Sequence, residues 1–208
     1  CGETDLAQEF VETFASYHRQ NYGGCKVGVA DVIIGAAASM AEYNGCSKAS
    51  HIKDKLVEMV HLSESMHCCS IACSAMGHKT EAGSYYVDTL LANTVKLNCT
   101  KTMYEISRLA HDIAGGFIAT LPYEADYRSE IGHDYINKYF AGDPKFSTEE
   151  RIRMARLLEN MTGGTALAES MHGAGSPQAM RVMIQRQTNW EQKKNLAKKL
   201  ANIEIKED

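Results

Sequence analysis

A histidine and a cysteine seven residues apart bracket the segment His18-Arg19-Gln20-Asn21-Tyr22-Gly23-Gly24-Cys25. Imidazole and thiolate both bind iron and zinc. With His18 at a helix end and a Gly-Gly break before Cys25, the two side chains are expected to point into one cavity. Two ligands do not complete a metal site, so the spacing alone leaves a metal role and an incidental pairing both open. A second polar concentration lies near the C-terminus: Thr162-Gly163-Gly164-Thr165, then Glu169, His172, Gly173, Gly175, Ser176 and Pro177. Polar loops held by a rigid scaffold are where catalytic groups tend to lie. Glu169 is a candidate general acid or base if partly buried, and equally a solvated or capping carboxylate. A third segment, His111-Asp112-Ile113-Ala114-Gly115-Gly116, closes a long helical stretch. Its glycine pair either brings backbone N–H groups close to a phosphate or nucleotide, or simply stops the helix.

Two other groupings read differently. Cys69 and Cys73, preceded by His67 and Cys68, stand four apart on an apolar helical stripe and are expected to be small packing residues. Glu58-x-x-His61 and Glu64-x-x-His67 have the spacing used by di-iron bundles, but those bundles spread their motifs over separate helices. Six residues along one helix, the two copies point about 240° apart and do not converge.

These side chains need helices to position them. Ile52, Leu56, Met59, Leu62, Met66, Cys69, Cys73 and Met76 recur in steps of three and four, as do Val87, Leu91, Val95, Cys99, Met103, Ile106, Leu109 and Ile113. Leu6, Phe10, Phe14 and Tyr17 mark a shorter first helix, expected to end near Asn21-Tyr22-Gly23-Gly24. A second is expected over Val29–Tyr43, with the small-residue run Gly35–Ser39 admitting a close neighbour and Asn44-Gly45 as its stop. Ser147 with Glu150 reads as a capping box for a helix toward Met161. Ser176-Pro177 is a start signal for another toward Lys199. The stretch from Pro122 to Pro144 is the longest irregular region. Period-two alternation is nearly absent, so the fold class is all-α, with residues 1–208 forming one helical-bundle domain.

Composition narrows the function. The 208 residues carry 22 basic and 26 acidic side chains, a net charge of −4. Mild acidity with scattered Lys and Arg leaves no footprint for nucleic acid. No uninterrupted apolar run approaches the ~20 residues that span a bilayer, so no membrane association is expected. No signal peptide opens the sequence. Seven cysteines form no even, loop-spaced framework, which fits a reduced, cytoplasmic protein.

The stretches 17–26 (YHRQNYGGCK), 109–116 (LAHDIAGG) and 161–179 (MTGGTALAESMHGAGSPQA) resemble the flavoprotein family related to 4-hydroxyphenylacetate 3-hydroxylase. Within it they resemble the C-terminal half of the 4-hydroxybutyryl-CoA dehydratase/vinylacetyl-CoA Δ-isomerase group, and the likeness extends over nearly the whole chain. The resemblance implies an acyl-CoA-dehydrogenase-like C-terminal helical bundle, FAD, a [4Fe–4S] cluster, an acyl-CoA substrate and a homotetramer. It makes His18 and Cys25 two of four cluster ligands, with His18 on the iron that faces substrate. Tyr22 lies beside the reacting carbons in that reading, Glu169 is the catalytic carboxylate, and His18 doubles as a base near the substrate. Asp112, Gly115 and Gly116 resemble the segment that meets the FAD of a neighbouring subunit. The implied dehydration removes an α proton, withdraws one electron transiently so that the β proton can leave, expels the γ-hydroxyl with Lewis-acid help, and returns the electron, leaving no net oxidation. The family's other two ligands, a Cys-x-x-x-Cys pair, and its central β-rich domain have no counterpart here. The chain is therefore expected to be a C-terminal portion, inactive without its N-terminal half. A cluster-free flavin hydroxylase of the same group, or a di-iron or purely structural bundle, are the rival readings.

Overall fold

A single helix of 40 residues, α1 (Thr4–Tyr43), begins the fold. The computed structural model describes residues 2–204, so Cys1 lies outside the described residues. Two further long helices follow, α2 (Ser50–Ala75) and α3 (Thr89–Ala114). Between them sits a minimal antiparallel hairpin of β1 (His78–Lys79) and β2 (Tyr85–Tyr86), with His78 opposite Tyr86. A 3₁₀ turn (Gly116–Thr120) leads to α4 (Glu124–Arg128), α5 (Gly132–Tyr139) and α6 (Thr148–Met161). The described chain closes with α7 (Gly164–His172), α8 (Pro177–Gln187) and α9 (Trp190–Leu200). The all-α expectation holds, and the region between Pro122 and Pro144 contains two short helices rather than loop alone.

The core forms where α1, α2 and α3 pack together. Ala30, Ile33, Ala37 and Met40 of α1 meet Met59 and Met66 of α2 and Cys99, Met103 and Ile106 of α3, with Leu158 of α6 beneath them. The small-residue run of α1 does bring a neighbour close: Ala36 and Ala37 are buried. By length and composition alone α1 is apolar enough to cross a membrane, but its inward face is committed to this core. Its first stripe behaves otherwise. Leu6, Phe10 and Phe14 form a helix as expected, yet all three are exposed among the described residues.

The local signals around α6 and α8 are borne out. Ser147 and Glu150 form a reciprocal capping box. Ser176 caps α8 with Pro177 at its first turn. That helix stops at Gln187 instead of running to Lys199, because Thr188 is extended and Asn189 accepts a hydrogen bond from Gln192 to start α9.

The break expected at Gly23-Gly24 is absent. Helix α1 runs straight through it, and the reason is steric. A Cβ on Gly23 would lie 2.4 Å from Ser70 Cβ and 2.8 Å from Val95 Cγ1. Gly23 is there so that α2 and α3 approach the backbone of α1, and its helix penalty of about 1 kcal/mol is offset by that contact. Gly24 faces open space. The two glycines should therefore respond oppositely to alanine. Gly24→Ala should raise the urea midpoint, by about 0.5–1 kcal/mol of helix propensity. Gly23→Ala should lower it, because overpacking costs about 1–3 kcal/mol. Equal shifts of the same sign in urea unfolding would show that Gly23 is not a packing glycine.

Candidate active site

Continuity of α1 decides which side chains meet. At 100° per residue, Arg19 and Lys26 lie about 60° and 40° to one side of Tyr22, while His18 and Cys25 lie about 40° and 60° to the other. The first side faces inward: Arg19, Tyr22, Gly23 and Lys26 are all buried. The second is exposed at both His18 and Cys25. Tyr22 stands on the border between the two.

The Tyr22 hydroxyl donates to Glu169 Oε1 at 2.5 Å, across 147 residues of sequence. Lys26 donates to the other carboxylate oxygen of Glu169, forming an ion pair. Lys26 is almost fully covered while the Glu169 side chain is half exposed, so one edge of the carboxylate stays open to an incoming group. Behind the phenol ring, Lys96 of α3 places its Nζ 4.2 Å from the ring centroid. Arg19 donates to Asn93 Oδ1 at 2.5 Å and to the Ala174 carbonyl at 3.1 Å. It thereby ties α1 to the turn after α7, where Ala174 adopts φ 59°. Gly173 in the same turn makes the approach possible: a Cβ there would lie only 1.8 Å from Tyr22 Oη and 2.9 Å from Glu169 Oε1.

The electrostatics follow from this packing. Burial pushes the Glu169 carboxyl up, but hydrogen bonds from Lys26 and Tyr22, with the charges of Lys26 and Lys96, outweigh it and hold the group below its ordinary value. Burial and the hydrogen-bonded, negatively charged Glu169 push the Tyr22 phenol well above its usual range. At neutral pH the pair is thus a carboxylate and a neutral phenol. A cavity of about 470 Å³ adjoins it, lined on the apolar side by Val29, Met103, Met161 and Leu167 and on the polar side by Lys26, Asn160, Thr165, Glu169 and Ser170. Such a lining suits an apolar chain that ends in a polar, reacting group.

The other expected residues are distributed unevenly. His18 and Cys25 do not enter one cavity across a helix break. They project from one exposed face of α1, about two turns apart. The His18 ring lies between Phe14 and Tyr22, with centroids 5.7 and 6.0 Å away. Asp112, Gly115 and Gly116 lie near the other end of the bundle, where Asn44 donates to the Ala114 carbonyl. Asp112 pairs with Lys55 at 2.7 Å, and the space around both glycines is open. Gly115, at φ 76°, ends α3. His111 meets Thr162 Oγ1 at 2.6 Å, which joins the third polar segment to the second. Cys73 is a packing residue, its thiol pushed up to about 11 by burial. Glu58, His61, Glu64 and His67 are exposed on α2, and no cluster of three or more metal-ligating side chains occurs among the described residues.

Sequence reasoning missed Lys26, Lys96 and Arg19. For Lys26 and Arg19 the signal was present: once the helix is taken as unbroken, both fall on the inward face with Tyr22. For Lys96 it was a charged residue within the apolar stripe of α3.

Residues 7–202 match the family model described as 4-hydroxyphenylacetate 3-hydroxylase C terminal. The chain is 57% identical, over 98% of its length, to a 4-hydroxybutyryl-CoA dehydratase/vinylacetyl-CoA-Δ-isomerase from Clostridium aminobutyricum, of which it covers 44%. It superposes with a TM-score of 0.95 and 51% identity on an oxygen-tolerant archaeal 4-hydroxybutyryl-CoA dehydratase from N. maritimus, covering 100% of this chain and 42% of that one. The oxygenase component of 4-hydroxyphenylacetate 3-monooxygenase shares the fold, at a TM-score of 0.86 and 19% identity, covering 97% of this chain and 44% of that one. The chain thus spans less than half the length of these relatives.

The site's electrostatics have a pH consequence. A carboxyl held low contributes stability that is fully present above the unfolded value, near 4.5, and lost as pH falls through the folded value. The stability difference between the parent and Glu169→Gln should be flat above about pH 5 and shrink below it, as read by urea unfolding. A difference that grows on acidification would reverse the argument. Gly173→Ala should part the phenol from the carboxylate and bring the titration of Tyr22 back toward its ordinary value near 10. Tyrosinate absorbance, referenced to Tyr22→Phe, measures this, and an unchanged titration would refute the role assigned to Gly173.

Proposed function

The chain belongs to the 4-hydroxyphenylacetate 3-hydroxylase C-terminal family, and on that premise we propose that it is the C-terminal helical domain of a 4-hydroxybutyryl-CoA dehydratase with vinylacetyl-CoA isomerase activity. The observation that carries the reading is the Tyr22–Glu169–Lys26 cluster set beside the exposed His18/Cys25 edge of the same helix. The identity of 57% and 51% to two dehydratases, against 19% for the structurally similar oxygenase, supports it.

In this reading an acyl-CoA lies along the Glu169 edge. Glu169 rests as a carboxylate and is ready to accept a proton from the acyl chain, then to return it at another carbon. Lys26 holds the carboxylate in place and balances its charge. Tyr22, donating to Glu169, fixes the direction of the free carboxylate oxygen and closes the inner wall of the site. His18 and Cys25 would hold a [4Fe–4S] cluster: their nitrogen and sulfur donors suit iron, and they share one accessible helix face. They provide two ligands, so the remaining ligands come from the N-terminal part of the protein. Gly115 and Gly116, free of neighbouring atoms where a Cβ would sit, and Asp112 would meet FAD bound by a neighbouring subunit of a homotetramer. When bound, these groups supply a Lewis-acidic iron and one-electron oxidation and reduction. In this reading the whole protein works in the cytoplasm and this domain alone is inactive. A cluster-free hydroxylase has no use for the His18/Cys25 pair, and a di-iron bundle needs a convergence that α2 does not offer.

In the intact protein, Cys25→Ala should lose most of its iron while keeping flavin, as measured by iron content and the broad visible absorbance. Glu169→Gln should keep both and lower kcat by about 10²-fold or more. A Cys25→Ala protein with unchanged iron and dehydratase activity would overturn the reading.

A further inference from the structure

Lys96 has no exposed surface and is the largest fully buried side chain in the bundle. Among the described residues its ammonium meets no carboxylate directly. It donates to the Ser170 carbonyl at 2.5 Å and the Met171 carbonyl at 3.4 Å. Both belong to the last turn of α7, where a helix leaves carbonyls without intrahelical partners. The neighbouring carbonyls of that turn are already used: Glu169 O accepts from Gly173 N and His172 O from Gly175 N. Lys96 therefore completes the C-terminal end of the helix that carries Glu169, and its charge opposes the negative end of the helix dipole. On its other side the same ammonium lies over the Tyr22 ring, an attraction that strengthens when the cation is desolvated.

A methionine would fill this space without desolvating a charge, and such replacements are often neutral or stabilising. It would leave the Met171 carbonyl unpaired, the Ser170 carbonyl with only the weak Cys99 thiol donor at 3.7 Å, and the phenol ring free to tilt. What the lysine supplies, and a core residue cannot, is one cation that lies over the Tyr22 ring and holds the last turn of the helix carrying Glu169. We propose that Lys96 is a positioning residue for the site: it sets the separation and direction of Tyr22 and Glu169 while touching neither substrate nor cofactor. The kinetic consequence rests on the function proposed above, whereas the geometric one does not.

The test uses the intact protein with Lys96→Met, Lys96→Gln and Glu169→Gln, each checked for folding, iron and flavin content. Lys96→Met should lower kcat about 10- to 100-fold with KM changed less than about threefold, as expected when reacting groups are misplaced by an ångström or less. Loss of the nearby positive charge should raise the carboxyl's titration and move the acid limb of the pH–rate profile to higher pH. Added to Glu169→Gln, Lys96→Met should cost less than about threefold more, because the two act as one unit. Independently of activity, hydrogen exchange over residues 169–175 should speed up in Lys96→Met. Lys96→Gln, which keeps a donor but no charge, should retain that protection and still show the shifted pH limb.

A folded Lys96→Met protein whose kcat and acid limb both match the parent overturns the proposal. If Lys96→Met does not fold, the same two readouts on Lys96→Gln decide; if neither folds, Lys96 serves folding alone and the proposal falls. If Glu169→Gln keeps full activity, the functional reading fails instead. The exchange measurement then decides Lys96 by itself, faster exchange supporting it and unchanged exchange overturning it.

Discussion

Helix α1 must stay unbroken for about 60 Å while two other helices press against its middle, and Gly23 is the residue that permits both. With no side chain at that point, Ser70 and Val95 come within contact of the α1 backbone. The rotation of α1 is then set by its packing, and with it the fate of every side chain from His18 to Lys26. Arg19, Tyr22 and Lys26 turn inward toward α3 and α7, while His18 and Cys25 turn outward. A helix break at the same place would have freed the two halves to rotate separately, and no such division of labour would follow.

Once α1 is oriented, the interior of the site is governed by charge. Three cations, Arg19, Lys26 and Lys96, are buried around one phenol and one carboxylate. Burial lowers the affinity of Arg19 and Lys96 for their protons and raises the Cys99 thiol to about 11. For Glu169 the same burial is overcome by its partners, so the negative charge resides where it can accept a proton. Each buried cation has a defined set of acceptors: the carboxylate for Lys26, two helix-end carbonyls for Lys96, and Asn93 with the Ala174 carbonyl for Arg19. This arrangement makes the turn after α7 a fixed part of the site even though it lies on the surface.

Much of the fold was legible in the sequence because helical periodicity and caps act over a few residues. The stripes of α2 and α3, the Ser147/Glu150 box and the Ser176-Pro177 start all have local causes, and they came out as read except at the stripe ends, where Met76 follows α2 and is exposed and Val87 precedes α3. The Gly-Gly pair in α1 did not, because a glycine placed for close packing and one placed to end a helix look identical until the neighbour is known. The apolar stripe of Leu6, Phe10 and Phe14 specified a helix correctly but not its burial, which needs a partner surface. Asp112, Gly115 and Gly116 sit at a helix end as expected, far from Tyr22 and Glu169.

By itself the sequence determined an all-α chain, a closely spaced His/Cys pair, and Glu169 as the carboxylate of a polar segment. These follow from composition, spacing and resemblance to a known family, none of which needs coordinates. Only the tertiary structure decided that Glu169 meets Tyr22 and Lys26 across more than 140 residues, that Gly173 leaves room for the contact, and that Lys96 stands behind it. Contacts between distant segments depend on how helices rotate and approach. That is set by packing at points such as Gly23, whose effect on the rest of the chain no local pattern reports.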